Sequence, residues 1–127
     1  MSTVLDLGAL RVLEDDLGHH AARDFAGRYL AELPSRIARL HRAVRDGDIE
    51  EGYAAALSLS STSGMVGAVV VARLSRGFAV AARHGLGWPA ARALGDLSAA
   101  ARVTCTELAT ALATPAPPSH VVSRLPG

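Results

Sequence analysis

Leu7, Leu10, Leu13 and Leu17 recur at steps of three and four residues, with Asp6 before them and Gly18 after them. That spacing predicts a short amphipathic helix with a carboxylate at its start and a glycine at its stop. From His19 onward Ala22, Phe25, Tyr29, Leu33, Ile37, Leu40 and Val44 keep the same period as far as Asp46-Gly47, which predicts a second helix. Pro34 falls inside it and is expected to bend or divide it, because proline removes a donor and crowds the preceding turn. Asp48, followed three residues later by Glu51, resembles a capping box and opens a third helix to about Ser63, with Gly64 and Gly67 bracketing a turn. A fourth segment sets Val70, Leu74, Phe78 and Ala81 on one stripe before Gly85; its period outweighs the strand-like run Val69-Val70-Val71. Gly77 costs about 1 kcal/mol relative to alanine inside a helix, which predicts close approach of a neighbouring backbone. Pro89 opens a last helix through Ala90, Leu94, Leu97, Ala101, Thr104, Leu108 and Leu112.

Five helical segments with short connections predict an all-α fold: an up-and-down antiparallel four-helix bundle with an additional short N-terminal helix. Composition agrees, since half of the 127 residues are apolar but only 4% are aromatic, a bias towards closely packed helices over sheet. Residues 1-113 read as one domain. Residues 114-127, with Pro115, Pro117, Pro118 and Pro126, read as a flexible tail. The net charge of +1 creates no overall field for nucleic acid or membrane, and no apolar stretch approaches the roughly 18 residues of a membrane span. The expected location is cytoplasmic. Cys105 is the single cysteine and, among Thr, Ala and Val neighbours, reads as a small buried hydrophobe.

The third helix carries the most informative face. At about 100° per residue, Tyr53, Leu57, Ser60, Ser61 and Gly64 share one side, while Gly52, Ala56, Leu59, Ser63 and Val66 lie roughly opposite. With Leu59 in the core, Leu57 projects to solvent from a patch of serine and glycine. A lone surface leucine needs no explanation by itself.

The stretch from Ala56 to Ala68 resembles the signature of the histidine-containing phosphotransfer (HPt) family: Leu59, Gly67 and Ala68 match it, as do the small residues Ser61 to Ser63. The upstream run Leu33-Pro34-Ser35-Arg36-Ile37-Ala38-Arg39-Leu40, with Gly47-Asp48, is similar to that family's second helix and exit turn. The resemblance implies a phosphorelay scaffold in which an exposed histidine takes a phosphoryl group from a receiver-domain aspartate or returns it. Leu57 stands at the histidine position, Ser60 at the position three residues on that is usually lysine, and Ser61 at the small residue that lets the receiver approach. The reactive groups are missing and the clearance is kept. The resemblance therefore implies a module that binds a response-regulator receiver domain or a histidine kinase through Tyr53, Leu57, Ser60, Ser61 and Gly64 without carrying phosphate.

Other residues supply no competing chemistry. His41 and His84 lie outside the motif, and the neighbours His19 and His20 diverge by about 100° on a helix and cannot share one metal ion. The serines from Ser58 to Ser63 have no histidine near them in sequence, and the Gly64 to Gly67 spacing lacks the Lys-Ser/Thr of a phosphate loop. Neither enzymatic activity nor a cofactor or metal is expected. Arg28, Arg36, Arg39, Arg42 and Arg45 make the second helix basic; pairing with Asp24, Glu32 and Asp46 is the simpler expectation, and steering of an acidic receiver surface the sharper one. Two alternatives stay open: phosphotransfer through another residue, and a structural bundle that uses the exposed leucine in a homodimer.

Overall fold

A computed structural model of the chain describes residues 4–85 and 91–113. Five helices follow in order: α1 (Leu7–Leu17), α2 (His19–Asp46), α3 (Ile49–Met65), α4 (Val69–Arg83) and α5 (Ala91–Ala113). Helix α2 packs on α3, α3 on α4, α4 on α5 and α5 back on α2, closing a four-helix ring, and α1 lies across α2 and α3. This is the bundle with an added N-terminal helix that the apolar periodicity predicts. The proposed opening of the last helix at Pro89, and the tail from residue 114, lie outside the described residues.

Local chemistry explains the boundaries. The Asp6 carboxylate accepts from the Gly8 amide at 2.9 Å and starts α1. The Asp48 carboxylate accepts from the Glu51 amide at 3.1 Å and starts α3. Glu51 does not return to complete a capping box; its carboxylate takes two hydrogen bonds from Arg39 of α2, at 2.5 and 2.9 Å. That pairing holds the Glu51 carboxyl below its ordinary range, and because both side chains are exposed it adds little stability. Gly47, at φ 68°, closes α2 with its amide on Ala43 and Val44. Pro34 does not divide α2, which runs unbroken through 28 residues.

The core follows the predicted stripes with measurable rotations. Tyr29, Leu33, Ile37 and Leu40 of α2 and Leu97, Ala101, Thr104 and Leu108 of α5 are buried as expected. In α1 only Leu10 and Leu13 are buried, while Leu7 and Leu17 are exposed, so this helix touches the bundle along its middle alone. In α4 the buried line is Val71, Ser75, Phe78 and Ala79, with Val70 and Leu74 partly covered. Its inward face is thus turned by about one residue from the predicted stripe. Gly64 is helical in α3 and not part of a turn, since α3 continues to Met65. No heavy atom lies within 4 Å of where a Cβ on Gly77 would stand. Within this chain, then, the expected close approach to Gly77 does not occur.

Gly67 is where backbone does approach. The amide of Asp6 donates to the Gly67 carbonyl at 2.7 Å and the Val69 amide to the Val4 carbonyl at 3.1 Å, clipping the N-terminal strand of chain across the α3–α4 turn. Gly67 adopts φ 81°, and a Cβ there would sit 2.1 Å from the Asp6 carbonyl oxygen. Any side chain would incur left-handed strain and break the clip. Gly67→Ala is expected to destabilise the fold by about 2 to 4 kcal/mol in urea titrations, from strain plus a lost hydrogen bond. Gly47→Ala, where φ is also positive but the space is open, should cost only about 1 kcal/mol.

Candidate functional site

Helix α3 lies between α2 and α4, with which it packs. Gly52, Ala55, Ala56, Leu59, Ser60 and Ser63 form its buried side, so Leu59 is the one large side chain seated inward, and small residues flank it. Leu57 stands on the far side, 45% exposed, with Ser61 and Gly64 exposed beside it. The predicted solvent placement of these three residues agrees with the structure.

Ser60 does not join them. It is only 4% exposed, a correction to its expected place on the partner-binding face. It follows Tyr53 by seven residues and so lies on nearly the same line of the helix. Tyr53 is half-buried in a shallow groove with Ile49, Glu50, Ala82 and Arg83. That line is the flank turned to α4, and the small Ser60 side chain is covered there. The exposed strip instead runs Ala54, Leu57, Ser61 and Met65, the last 45% exposed. The sequence pattern predicts a turn from Gly64 to Gly67, but two further helical residues place Met65 two turns beyond Leu57 on the same face.

The α2 side of the site is polar and satisfied. Arg36 donates to Ser58 Oγ at 2.8 Å and to Glu32 at 2.8 Å, so one α2 arginine reaches the residue next to Leu57 with its charge already paired. Beneath, Tyr29 Oη and Ser63 Oγ share a hydrogen bond of 2.7 Å in the core. Burial pushes the Tyr29 phenol up to about 12, with the Ser63 bond acting in the opposite sense.

Leu57 offers only hydrocarbon. Among described residues, the hydrogen bonds of His19 and His41 go to Glu14 and to Ser98 of α5, not to an α3 serine, and His84 caps the end of α4 in the open. No group of three metal-ligating side chains occurs among the described residues, and no described helix is long and apolar enough to cross a membrane. Cys105 is partly exposed on α5 and desolvation raises its thiol pKa, which disfavours the reactive thiolate.

Comparison with solved structures gives this arrangement a relative in shape. The chain superposes on the crystal structure of histidine-containing phosphotransfer protein B (HptB) from Pseudomonas aeruginosa PAO1 with a TM-score of 0.79, over 88% of this chain and 96% of that one, at 19% sequence identity. The all-α bundle is therefore the fold of an HPt protein. No family model matches the sequence, and no curated protein matches it.

The buried phenol sets a pH limit on the fold. With a folded pKa above the unfolded value of about 10, the neutral phenol contributes stability fully present below pH 10 and lost as pH rises towards 12. Unfolding free energy is expected to fall by on the order of 2 kcal/mol across that window in chemical denaturation, and the Tyr29→Phe variant should lack this slope. At neutral pH Tyr29→Phe should itself cost about 1 to 2 kcal/mol by leaving the Ser63 hydroxyl buried without its partner.

Proposed function

We propose that the chain is an HPt-like domain of a two-component or phosphorelay system that binds a receiver domain or a histidine kinase and carries no phosphate, acting as a non-enzymatic interaction module. The observation that carries this reading is Leu57: an exposed hydrocarbon side chain at the signature's acceptor position, on a bundle with the HPt fold. Ser61 and Gly64 keep the surface around it low, and Met65 extends its apolar strip. Tyr53 forms the edge of the contact. Ser60, being buried, supports the position of α4 and takes no direct part in the contact.

Such a module competes with active phosphotransfer proteins for a shared partner. Isothermal titration against purified receiver and kinase domains from the same genome should find saturable binding. Leu57→Asp should weaken it at least tenfold, about 1.4 kcal/mol, because a carboxylate replaces a central apolar contact. The absence of binding to every domain, or indifference to Leu57→Asp, overturns the reading. A molecular mass that rises with concentration, and falls back in Leu57→Asp, would assign the same face to a homodimer instead.

The missing chemistry is tested separately. Incubated with a phosphorylated receiver, the native chain should gain no acid-labile label, and Leu57→His should gain it, since the substituted imidazole would stand in solvent where Leu57 now stands. Acid-labile label on the native chain would mean transfer through another residue. Adding Ser60→Lys is expected to lower stability, because a lysine at this covered position must thread the α3–α4 seam to reach water.

A further inference from the structure

From Gly52 to Gly95 the sequence holds no Asp or Glu in 44 residues, yet it holds Arg73, Arg76, Arg83 and Arg92. The fold gathers the first three on the solvent side of α4: Val69, Arg73, Arg76, Val80 and Arg83 follow one another at helical steps and all are exposed. Arg73 and Arg76 make no hydrogen bond or ion pair with any described residue. Arg83 lines a groove with Glu50, so the uncompensated charge is centred on the other two. On α2, by contrast, Arg36 and Arg39 are paired to Glu32 and Glu51.

A second, independent feature marks the same place. Helices α3 and α4 run antiparallel about Gly67, so residues equidistant from it lie side by side. Tyr53 and Ala82, fourteen and fifteen residues from it, follow this closely by lining one groove; Leu57 falls level with Gly77 along the helix axes, and Ser61 with Arg73. Gly77 is exposed in mid-helix with open space beyond its Cα. It weakens α4 by about 1 kcal/mol relative to alanine, with no neighbour in this chain to require it. A glycine that no internal contact needs, exposed beside Arg73 and Arg76 on α4, fits an external backbone coming close.

We propose that the α4 face centred on Arg73, Arg76 and Gly77, continuous with Leu57, docks an acidic amphipathic helix of a partner protein. The inference rests on the Leu57 face being a contact surface, and it names the chemistry of what meets it. Carboxylates of the partner pair with Arg73 and Arg76, and its apolar stripe lies along Leu57, Val69 and Val80, with its backbone close to Gly77. A protein fits better than a nucleic acid because exposed Val69 (43%) and Val80 (47%) interrupt the arginines and no aromatic side chain is interleaved with them. The strip also lacks the bulky apolar face by which a helix enters a bilayer.

The test uses the full ¹⁵N-labelled chain and three synthetic amphipathic helical peptides that share a leucine stripe and differ only in flanking glutamate, glutamine or lysine. The glutamate peptide should perturb amides of residues 73–80 and 57–61 saturably and bind at least tenfold tighter than the glutamine peptide. Arg73→Glu with Arg76→Glu should abolish that preference and transfer it to the lysine peptide; Arg73→Gln with Arg76→Gln should remove it should the charge reversal disturb folding. Gly77→Gln should raise the melting temperature while weakening the glutamate peptide tenfold, a combination that a purely structural glycine would not give. Perturbations centred on the α2 arginines, equal binding of the glutamate and glutamine peptides, unchanged binding by Gly77→Gln, or tighter binding to phosphatidylglycerol vesicles or a DNA duplex would each overturn the proposal. Because no receiver or kinase enters the assay, its outcome is separate from theirs: peptide binding with no receiver or kinase binding refutes the signalling assignment and leaves the acidic docking face standing.

Discussion

Helix α3 can turn about its axis to only one position, and the cause is the size of its side chains. Leu59 fills the centre of the ring, and Gly52, Ala55, Ala56, Ser60 and Ser63 around it are small enough for α2 and α4 to close on either side. Any other rotation would bury Leu57 or Tyr53 where space exists only for a methyl or hydroxymethyl group, and would draw Leu59 out of a site in which it is wholly enclosed. The exposure of Leu57, the cover over Ser60 and the strip through Met65 are all consequences of this one seating. The Tyr29–Ser63 hydrogen bond fixes it further, since a buried phenol and hydroxyl that parted would each lose a partner.

The same seating relates the N-terminal segment to the site. Leu5 is buried and Asp6 and Val4 are bonded across Gly67 and Val69, so the turn that joins α3 to α4 is held from outside as well as by its own helix ends. Gly67 belongs to the motif by resemblance, and its role here is steric: it is the point where two backbones meet too closely for a Cβ. A motif position conspicuous in the sequence is thus explained by packing.

Most of the architecture was legible in the sequence because apolar spacing in helices maps directly onto burial. The stripes of α2 and α5 are long, and a long stripe averages out local error: Tyr29, Leu33, Ile37 and Leu40, and Leu97, Ala101, Thr104 and Leu108, all face inward as their periods require. Short or low-contrast helices gave poorer readings. In α3, serine and alanine occur on every side, so the pattern could not fix rotation to better than about half a residue spacing, and Ser60 fell on the wrong side of the α4 seam. In α4 the run of three valines offered several equivalent stripes, and the packing chose Val71. Pro34 failed to divide α2 because its apolar face continues across the proline from Leu33 to Ile37, and burial of that face outweighs one missing donor. Gly77 was legible as a cost but not as a location, since sequence alone does not tell whether a close neighbour is internal or external.

Charge is distributed by a logic that the net value conceals. A sum of +1 over the chain describes a nearly neutral protein, yet the carboxylates stop at Glu51 and resume at Asp96, leaving α3 beyond its first turn and all of α4 without one. Neutralisation on α2 is local where it occurs: Arg36 meets a carboxylate of the same helix and Arg39 one at the start of α3, both at hydrogen-bond distance. On α4 that remedy is absent by composition and not by geometry, because no rotamer of Arg73 or Arg76 has a carboxylate on its own helix to reach. Solvent screens such charges at moderate cost, so their segregation does not endanger the fold. Its consequence lies in association, where unpaired guanidinium groups beside an uncharged apolar strip favour one sign of partner surface and repel the other. On the exposed side of the bundle the apolar strip thus belongs to α3 and the unpaired charge to α4.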